Sequence, residues 1–194
     1  MENFFYFRND PAILDSMLWI TVCANQIKFD PPLDVIQRTK PFRAGRYLKP
    51  TNDVIPVATS GAGELYPITV QSNAIFAEKS MANTILRELG SLVQLFEVVE
   101  TDSNDPRFKD FRLVNLTRMV DCVDRGRSDV EWWPDEPNRI KSVSTIVLDE
   151  SRIAPSDLVF RLAGASDVII ASAEGSEALL RAGVPPEYFG MEIF

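Results

Sequence analysis

The order of apolar and polar residues predicts a chain of short strands with two short helices. Apolar or alternating runs predict strands over residues 3–8, 19–29, 54–58, 74–77, 92–99, 111–116, 119–123, 142–148, 158–162 and 168–171. Proline and glycine recur between residues 30 and 67, which favours irregular connections there. We therefore predict an α+β fold with a mainly antiparallel sheet and a few short helices.

Two segments, residues 74–99 and 168–193, share one local pattern of strand, short helix and returning strand. In both, the helix lies between a serine that can cap it and a glycine that can end it: Ser80 and Gly90 in the first segment, Ser172 and Gly183 in the second. We interpret this pattern as an internal duplication of a strand–helix–strand unit. The alternative is two unrelated units that obey the same local rules.

The composition is that of an ordinary globular protein with an acidic surface. The chain has 194 residues, 45% hydrophobic and 25% charged, which suits a single domain over 1–194 with a β-rich N-terminal part over 1–72. The formal charge of −8 argues against nucleic-acid binding, where affinity depends on cationic side chains. The same charge favours a basic protein partner, and solubility alone is the alternative explanation.

The absence of histidine excludes several kinds of active site. Ser-His-Asp and Cys-His nucleophile systems need imidazole, as does every zinc site that uses this ligand. The two cysteines, Cys23 and Cys122, lie in apolar strand-like runs and are expected to be buried free thiols. An enzyme built on this chain must use carboxylates, lysine, tyrosine or a cofactor.

The N-terminal stretch MENFFYFRND has a short apolar run with no basic region before it. This pattern is typical of neither a secretory signal nor a membrane span, and no later apolar run is long enough to cross a bilayer. We therefore expect a cytoplasmic protein that does not bind membranes.

Two adjacent tryptophans among acidic residues are the strongest candidate for a binding site. On a strand Trp132 and Trp133 point to opposite faces, and the proline-rich residues 134–138 that follow are predicted to form a loop. Large aromatic side chains on a stiff loop are typical of interface anchors. We predict that a partner protein contacts Asp129, Glu131, Trp132, Trp133, Asp135 and Glu136. The alternative is that one tryptophan packs inward and the other covers a neighbouring strand.

Carboxylates near this stretch allow a second interpretation. Asp121, Asp124 and Asp129 can ligate Mg²⁺ or share a proton, as in a metal-dependent hydrolase. We favour a structural role, in which Asp121 and Asp124 accept hydrogen bonds from turn N–H groups or pair with nearby arginines: Arg118, Arg125 or Arg127.

Two further motifs predict stabilising contacts. The residues Asp149-Glu150-Ser151 and Phe160-Arg161-Leu162 predict an arginine–carboxylate pair that fixes a loop. We predict that the apolar side chains of Ile193 and Phe194 pack against the protein and so hold the C-terminal residues in place.

The second half of the chain resembles a known family. The motifs LVNLTRMVDCVDRGRSDVE, STIVLDESRI, LVFRL, DVIIAS and FGMEIF resemble, in order and spacing, a family of bacterial immunity proteins of polymorphic toxin systems, originally catalogued as a domain of unknown function. The matching positions are Asn115, Asp121, Asp124, Ser128, Asp149, Glu150, Ser151, Phe160, Arg161, Leu162, Gly190 and Phe194. The resemblance covers residues 73–194, and it departs from the family pattern at Ala173 and Gly175, where the helix start is expected to be loosened.

The resemblance implies a function by binding. A protein of this kind neutralises a cognate toxin or effector domain in the cytoplasm by covering its active site or substrate entry, without catalysis and without a cofactor or metal. The acidic surface suits a basic, nuclease-like toxin. A carboxylate-based hydrolase and a non-catalytic accessory domain are the alternatives.

Overall fold

The structure, a computed structural model, describes residues 4–9, 14, 16–30, 41–43, 45–51, 54–60, 63–71, 74–102 and 105–192. Its strands are β1 (Phe4–Phe7), β2 (Trp19–Val22), β3 (Val54–Ser60), β4 (Ile68–Val70), β5 (Ile75–Glu78), β6 (Val93–Glu100), β7 (Phe111–Leu116), β8 (Met119–Val120), β9 (Asp129–Trp133), β10 (Glu136–Thr145), β11 (Val159–Leu162), β12 (Ala165–Ser172) and β13 (Phe189–Glu192). Its α-helices are α1 (Lys79–Leu89) and α2 (Ala173–Arg181). Short 3-10 helices lie at Ala24–Gln26, Pro41–Arg43, Gly90–Leu92, Pro106–Asp110, Glu150–Arg152 and Pro186–Tyr188.

The strands form two main sheets and a separate two-stranded ribbon. One sheet has the order β2-β3-β6-β7-β5-β4, the other has the order β13-β1-β12-β11-β8, and β9 pairs with β10. The pairs β3/β6 and β8/β11 are parallel, and the remaining pairs are antiparallel. The predicted α+β class, with a mainly antiparallel sheet and few short helices, is confirmed for the described residues.

The two α-helices lie in an apolar layer that both main sheets share. Ile85 of α1 and Leu179 of α2 are buried there together with Val114 of β7 and Ile169 of β12. Where the helices reach the surface, the Arg181 guanidinium donates to the Glu88 carboxylate at 2.8 Å. Each sheet therefore buries one face against the same pair of helices.

The outer faces of the two sheets are covered by connecting segments. Phe42 and Phe108, both fully buried, cover the six-stranded sheet from the 3-10 helices Pro41–Arg43 and Pro106–Asp110. On the five-stranded sheet, Phe160 and Ile170 pack against a cluster that contains Cys122. The connections thus supply core residues as well as turns.

The two strand–helix–strand units have the same topology. In the first, β5 and β6 are each antiparallel to β7, so they are parallel to each other with β7 between them. In the second, β12 and β13 are each antiparallel to β1, so they are parallel with β1 between them. The middle strand follows the first unit in the chain, whereas it comes from the N-terminal region in the second.

Side chains pair with exposed backbone groups at both edges of the six-stranded sheet. Gln71 accepts from the Ile20 N–H at 2.9 Å and donates to the Leu18 carbonyl at 3.1 Å, along the free edge of β2. At the opposite edge Asn9 bonds both backbone groups of Val70 in β4. These two-point contacts satisfy groups that would otherwise offer an edge for a further strand.

The helix ends follow the sequence prediction at three of four places. Gly90 ends α1 with a φ of 55°, and Gly183, with a φ of 92°, follows α2. Ser172 caps α2 by accepting from the Gly175 N–H at 3.0 Å. The prediction that Ser80 caps α1 is wrong, because α1 begins at Lys79 and its N-cap residue Glu78 makes no side-chain capping bond.

Gly175 also has a different role from the one expected. It lies in the first turn of α2, where an added Cβ would be 2.0 Å from the Leu158 carbonyl oxygen. The glycine therefore permits close packing of α2 on the segment before β11, and the helix start is regular.

Two predicted strands differ from those observed. The predicted strand over 19–29 ends at Val22, because Ala24–Gln26 form a 3-10 helix. Of the predicted buried strand over 142–148, residues 142–145 form the end of β10 and are exposed, whereas Ile146 and Val147 lie beyond the strand and are partly buried, and Leu148 is buried. Ile193 and Phe194 lie outside the described residues, and no helix within the described residues is long and apolar enough to span a membrane.

The edge contact made by Gln71 should contribute measurably to stability. We expect Gln71→Ala to lower the free energy of unfolding by about 1–3 kcal/mol, because two backbone groups lose their partners. Urea unfolding followed by circular dichroism measures this change. The control Asn83→Ala removes an exposed amide side chain from α1 and should change stability by no more than about 0.5 kcal/mol. Equal midpoints for the two variants would contradict the assigned role of Gln71.

Candidate protein-interaction site

The residues singled out in the sequence lie on one projecting hairpin, here named the arm and defined as residues 129–145. The arm consists of β9, the tight turn Pro134-Asp135 and β10. Most of its side chains are exposed, and its two strands pair only with each other among the described strands. The arm is therefore a two-stranded ribbon attached to the outside of the five-stranded sheet.

The base of the arm is fixed by hydrogen bonds. The Ser128 hydroxyl accepts from the Val147 N–H at 2.9 Å and lies 3.1 Å from the Val147 carbonyl, to which it donates. The Asp124 carboxylate accepts from the N–H groups of Gly126 and Arg127, which closes the preceding turn. These contacts hold the two ends of the arm together where it leaves the body of the protein.

Trp132 faces the body of the protein. Its side chain is partly buried against the cluster that contains Cys122, next to Ile140 of the opposite strand. The Arg125 guanidinium lies over its ring at 4.1 Å from the centroid, a cation–π geometry. Trp132 is thus the residue that attaches the arm to the core.

Trp133 faces solvent on the other side of β9. Its side chain is 40% exposed, and the cationic groups of Arg139 and Lys141 lie 5.6 and 6.0 Å from the ring centroid. Adjacent residues of a strand point to opposite faces, as the sequence predicts, and the packed Trp132 agrees with the alternative in which one tryptophan packs inward. Trp133 is thus the large aromatic side chain that the arm leaves exposed.

Two of the four acidic residues of the arm have their own cations. Glu131 accepts from Lys141 at 2.6 Å and from Ser142 at 3.0 Å, and the Lys141 contact is the main reason that its pKa is lowered. Glu136 pairs with Arg139 at 3.0 Å. Asp129 and Asp135 are exposed and form no ion pair within the described part of the chain. Two carboxylates of the arm are therefore compensated by cations of the arm itself, and two are not.

The predicted loop over residues 134–138 is wrong in its local structure. Only Pro134 and Asp135 form the turn, whereas residues 136–138 already belong to β10. The reason is that Trp133 and Glu136 pair across a two-residue turn, which joins strands that the sequence pattern keeps apart. All six predicted contact residues nevertheless lie on the arm.

The carboxylates considered for metal binding, Asp121, Asp124 and Asp129, do not form a cluster in the described structure. Asp124 closes its turn and pairs with Arg127 at 2.6 Å, and this pair is the main cause of its lowered pKa. Within the described residues no group of three or more acidic or cysteine side chains is placed to hold a metal ion. Asp121 and Asp129 are exposed.

The expected pair between Arg161 and the 149–151 motif is replaced by local contacts. Asp149 accepts from the Ser151 hydroxyl at 2.6 Å and pairs with Arg152 at 3.1 Å. Arg161 is fully buried in β11 and donates to the Ser166 carbonyl at 2.7 Å. The loop after Leu148 is therefore fixed by its own residues.

Both cysteines are free thiols, but the prediction that both are buried is wrong for Cys23, which is partly exposed at the end of β2. Cys122 is buried, and burial together with the neighbouring carboxylate of Asp121 raises the pKa of its thiol to about 12. Such a thiol stays protonated and unreactive at neutral pH.

Sequence reasoning missed the residues that orient and flank the arm. Arg125, Arg139 and Lys141 contact the two tryptophans, and Gly164 allows the arm to lie close to the β11–β12 turn. The basic residues were visible between the acidic ones, but their partners depend on the hairpin register. Outside the arm, the exposed large apolar side chains lie on separate elements. Trp19 of β2, which is 48% exposed, has the largest side chain among them.

In comparisons with known proteins, no protein-family model and no curated protein matches this chain.

The two tryptophans should differ in their effect on stability. We expect Trp132→Ala to lower the free energy of unfolding by about 2 kcal/mol, because a partly buried ring is removed from the core. Trp133→Ala should change it by less than about 0.5 kcal/mol, because its ring is exposed. Chemical denaturation of both variants measures the difference. A larger loss for Trp133→Ala would reverse the assignment of inner and outer faces.

Proposed function

We propose that this chain is an immunity protein that binds a cognate bacterial toxin or effector domain and blocks it with the arm. The observation that carries the proposal is Trp133, a large exposed aromatic side chain on a ribbon whose base and inner face are fixed to the protein. Exposed aromatic residues on ordered segments bind with little loss of conformational entropy. The family resemblance of residues 73–194 supports the same function.

The proposed mechanism is steric. The arm enters or covers the active site or substrate entry of the toxin, and the two main sheets serve as the scaffold that holds it. Trp133 fills an apolar depression of the toxin, as central aromatic anchors do in other interfaces. Neither catalysis nor a cofactor takes part in this mechanism.

The proposed partner has a basic face. Asp135 lies in the turn at the tip of the arm and Asp129 lies at its base, both exposed and without an ion pair within the described residues. The whole chain has a formal charge of −8, which attracts a basic domain, such as a nuclease, over distances of about a Debye length. Glu131 and Glu136, which are paired internally, add polar contacts at the rim.

The proposed place of action is the cytoplasm. The two free thiols suit a reducing compartment. An immunity protein of this kind must be present where the toxin is made or where it arrives, and the resemblance implies the cytosol of the producing cell or its kin.

We further propose that the units at 74–99 and 168–193 derive from an internal duplication. Each has two parallel strands joined by a helix and separated by an antiparallel strand. Each also has an antiparallel neighbour outside its first strand, β4 in one unit and β11 in the other. The arm lies between the two units in the chain, so it is an addition to the duplicated scaffold.

Removing the proposed anchor should weaken binding without unfolding the protein. We expect Trp133→Ala to weaken binding to the cognate toxin, which the family resemblance implies is encoded by an adjacent gene, by roughly 2–4 kcal/mol. Calorimetry with an inactivated toxin measures the affinity, and survival of cells expressing the active toxin measures protection. Trp19→Ala is the matched control, because it removes a similarly exposed tryptophan from β2. Unchanged affinity for Trp133→Ala would remove the arm from the interface.

The carboxylates at the tip of the arm, Asp135 and Glu136, should govern the rate of association. We expect the double variant Asp135→Lys, Glu136→Lys to associate more slowly with the toxin and to show a weaker dependence on salt, because long-range attraction is lost. Stopped-flow measurements over a range of salt concentrations follow both quantities. The control Asp167→Lys, Glu187→Lys changes the net charge equally at exposed sites outside the arm. If both double variants slow association equally, net charge rather than the arm steers the partner.

A further inference from the structure

Arg125 connects the turn before the arm with the start of β10, near the tip of the arm. Its guanidinium stacks on the Trp132 ring at 4.1 Å from the centroid. The same group donates to the Asn138 side-chain oxygen at 3.0 Å and to the Pro137 carbonyl at 3.3 Å. One side chain thus contacts both strands of the arm.

The β11–β12 turn contacts the same part of the arm. The Ile140 N–H donates to the Gly164 carbonyl at 2.9 Å. Gly164 has a φ of 87°, and an added Cβ would lie 2.8 Å from the Asn138 carbonyl oxygen. Residues 137–140 are therefore contacted both by the Arg125 side chain and by the backbone of Gly164.

These contacts lie where the pairing of the arm is interrupted. Glu136 pairs with Trp133, and the next pair joins Ile140 with Trp132, so residues 137–139 have no partner on β9. A break of this kind bends a ribbon and weakens its ladder. Pro137 also lacks an N–H group. At residues 137–139, the pairing between β9 and β10 alone therefore does not determine the orientation of the tip of the arm.

We infer that Arg125 is a positioning residue, which holds the arm in one orientation so that Trp133 is presented to the partner in a fixed place. For its effect on binding, this inference rests on the proposed function. A planar guanidinium is suited to the task, since it stacks on an aromatic ring and donates in two directions at the same time. Without it the arm samples several orientations, and only a fraction of the molecules is ready to bind.

Arg127 provides the matched control. It lies in the same turn as Arg125 and carries the same charge, but it pairs with Asp124 rather than with the arm. Arg125→Ala and Arg127→Ala therefore remove the same charge, and only the first removes contacts to the arm.

Hydrogen exchange on the full chain tests the positioning role without a partner. We expect the amides of residues 129–145 to exchange at least about tenfold faster in Arg125→Ala than in Arg127→Ala, with equal exchange in the two main sheets. The tryptophan band of the near-ultraviolet circular dichroism spectrum, to which Trp132 contributes, should also decrease in Arg125→Ala alone. Equal protection of the arm in both variants overturns the inference.

Binding kinetics with the inactivated toxin from the adjacent gene test the consequence. We expect Arg125→Ala to lower the association rate constant about tenfold and to leave the dissociation rate constant unchanged, because fewer molecules are ready to bind. An arm that is loosened while the association rate stays the same overturns the inference. If the unaltered protein does not bind this toxin, the proposed function fails, and the exchange experiment still decides whether Arg125 orders the arm.

Discussion

The pairing of backbone N–H and C=O groups at strand edges is the constraint on which this structure depends. Amide and hydroxyl side chains meet it by bonding both polar groups of a distant segment. Gln71 does so at β2 and Asn9 at β4, while Gln94 binds the N–H and C=O of Leu48 and Ser128 those of Val147. Each contact supplies two hydrogen bonds for one ordered side chain. The contacts of Gln71 and Asn9 thereby satisfy backbone groups at the two edges of the six-stranded sheet, and those of Gln94 and Ser128 fix connecting segments.

The helix layer that both sheets share joins them into one scaffold. Tyr188, which precedes β13, donates to the Ile68 carbonyl of β4 at 2.6 Å and so links the two sheets at their margin. Phe7 of β1 lies in the helix layer and contacts Phe189 at a ring distance of 5.6 Å. The N-terminal strand therefore completes the sheet to which the C-terminal residues belong, and contacts of this kind couple the stability of the two ends of the chain.

This scaffold allows the arm to project without losing order. The arm buries Trp132 and Ile140 and exposes Trp133, so part of its apolar surface holds it in place and part stays available. Its outer face has cations beside two of its carboxylates, so we expect the proposed partner to present both an apolar depression and polar groups of either sign. A ribbon of this kind differs from a flexible loop, because much of the entropy cost of ordering it is met during folding.

The sequence by itself determined many of the local elements and identified the six residues of the candidate site. Helical spacing and Gly90 fixed α1, Ser172 fixed the start of α2, and the adjacency of Trp132 and Trp133 fixed their opposite directions. These features follow from short-range rules of backbone geometry. The same rules placed Ser80 as a cap and residues 134–138 in a loop, and both predictions were wrong, since neighbouring residues alone did not decide them.

Only the tertiary structure decided which strands are neighbours and which charges meet. The insertion of β1 between β12 and β13, the pairing of Glu131 with Lys141 and the stacking of Arg125 on Trp132 all depend on register or on contacts between separate segments. A difference of one residue in register reverses the face of a strand, and apolar periodicity does not specify partners. The acidic, aromatic stretch was therefore visible in the sequence, whereas its form as an internally paired and oriented arm was set by the fold.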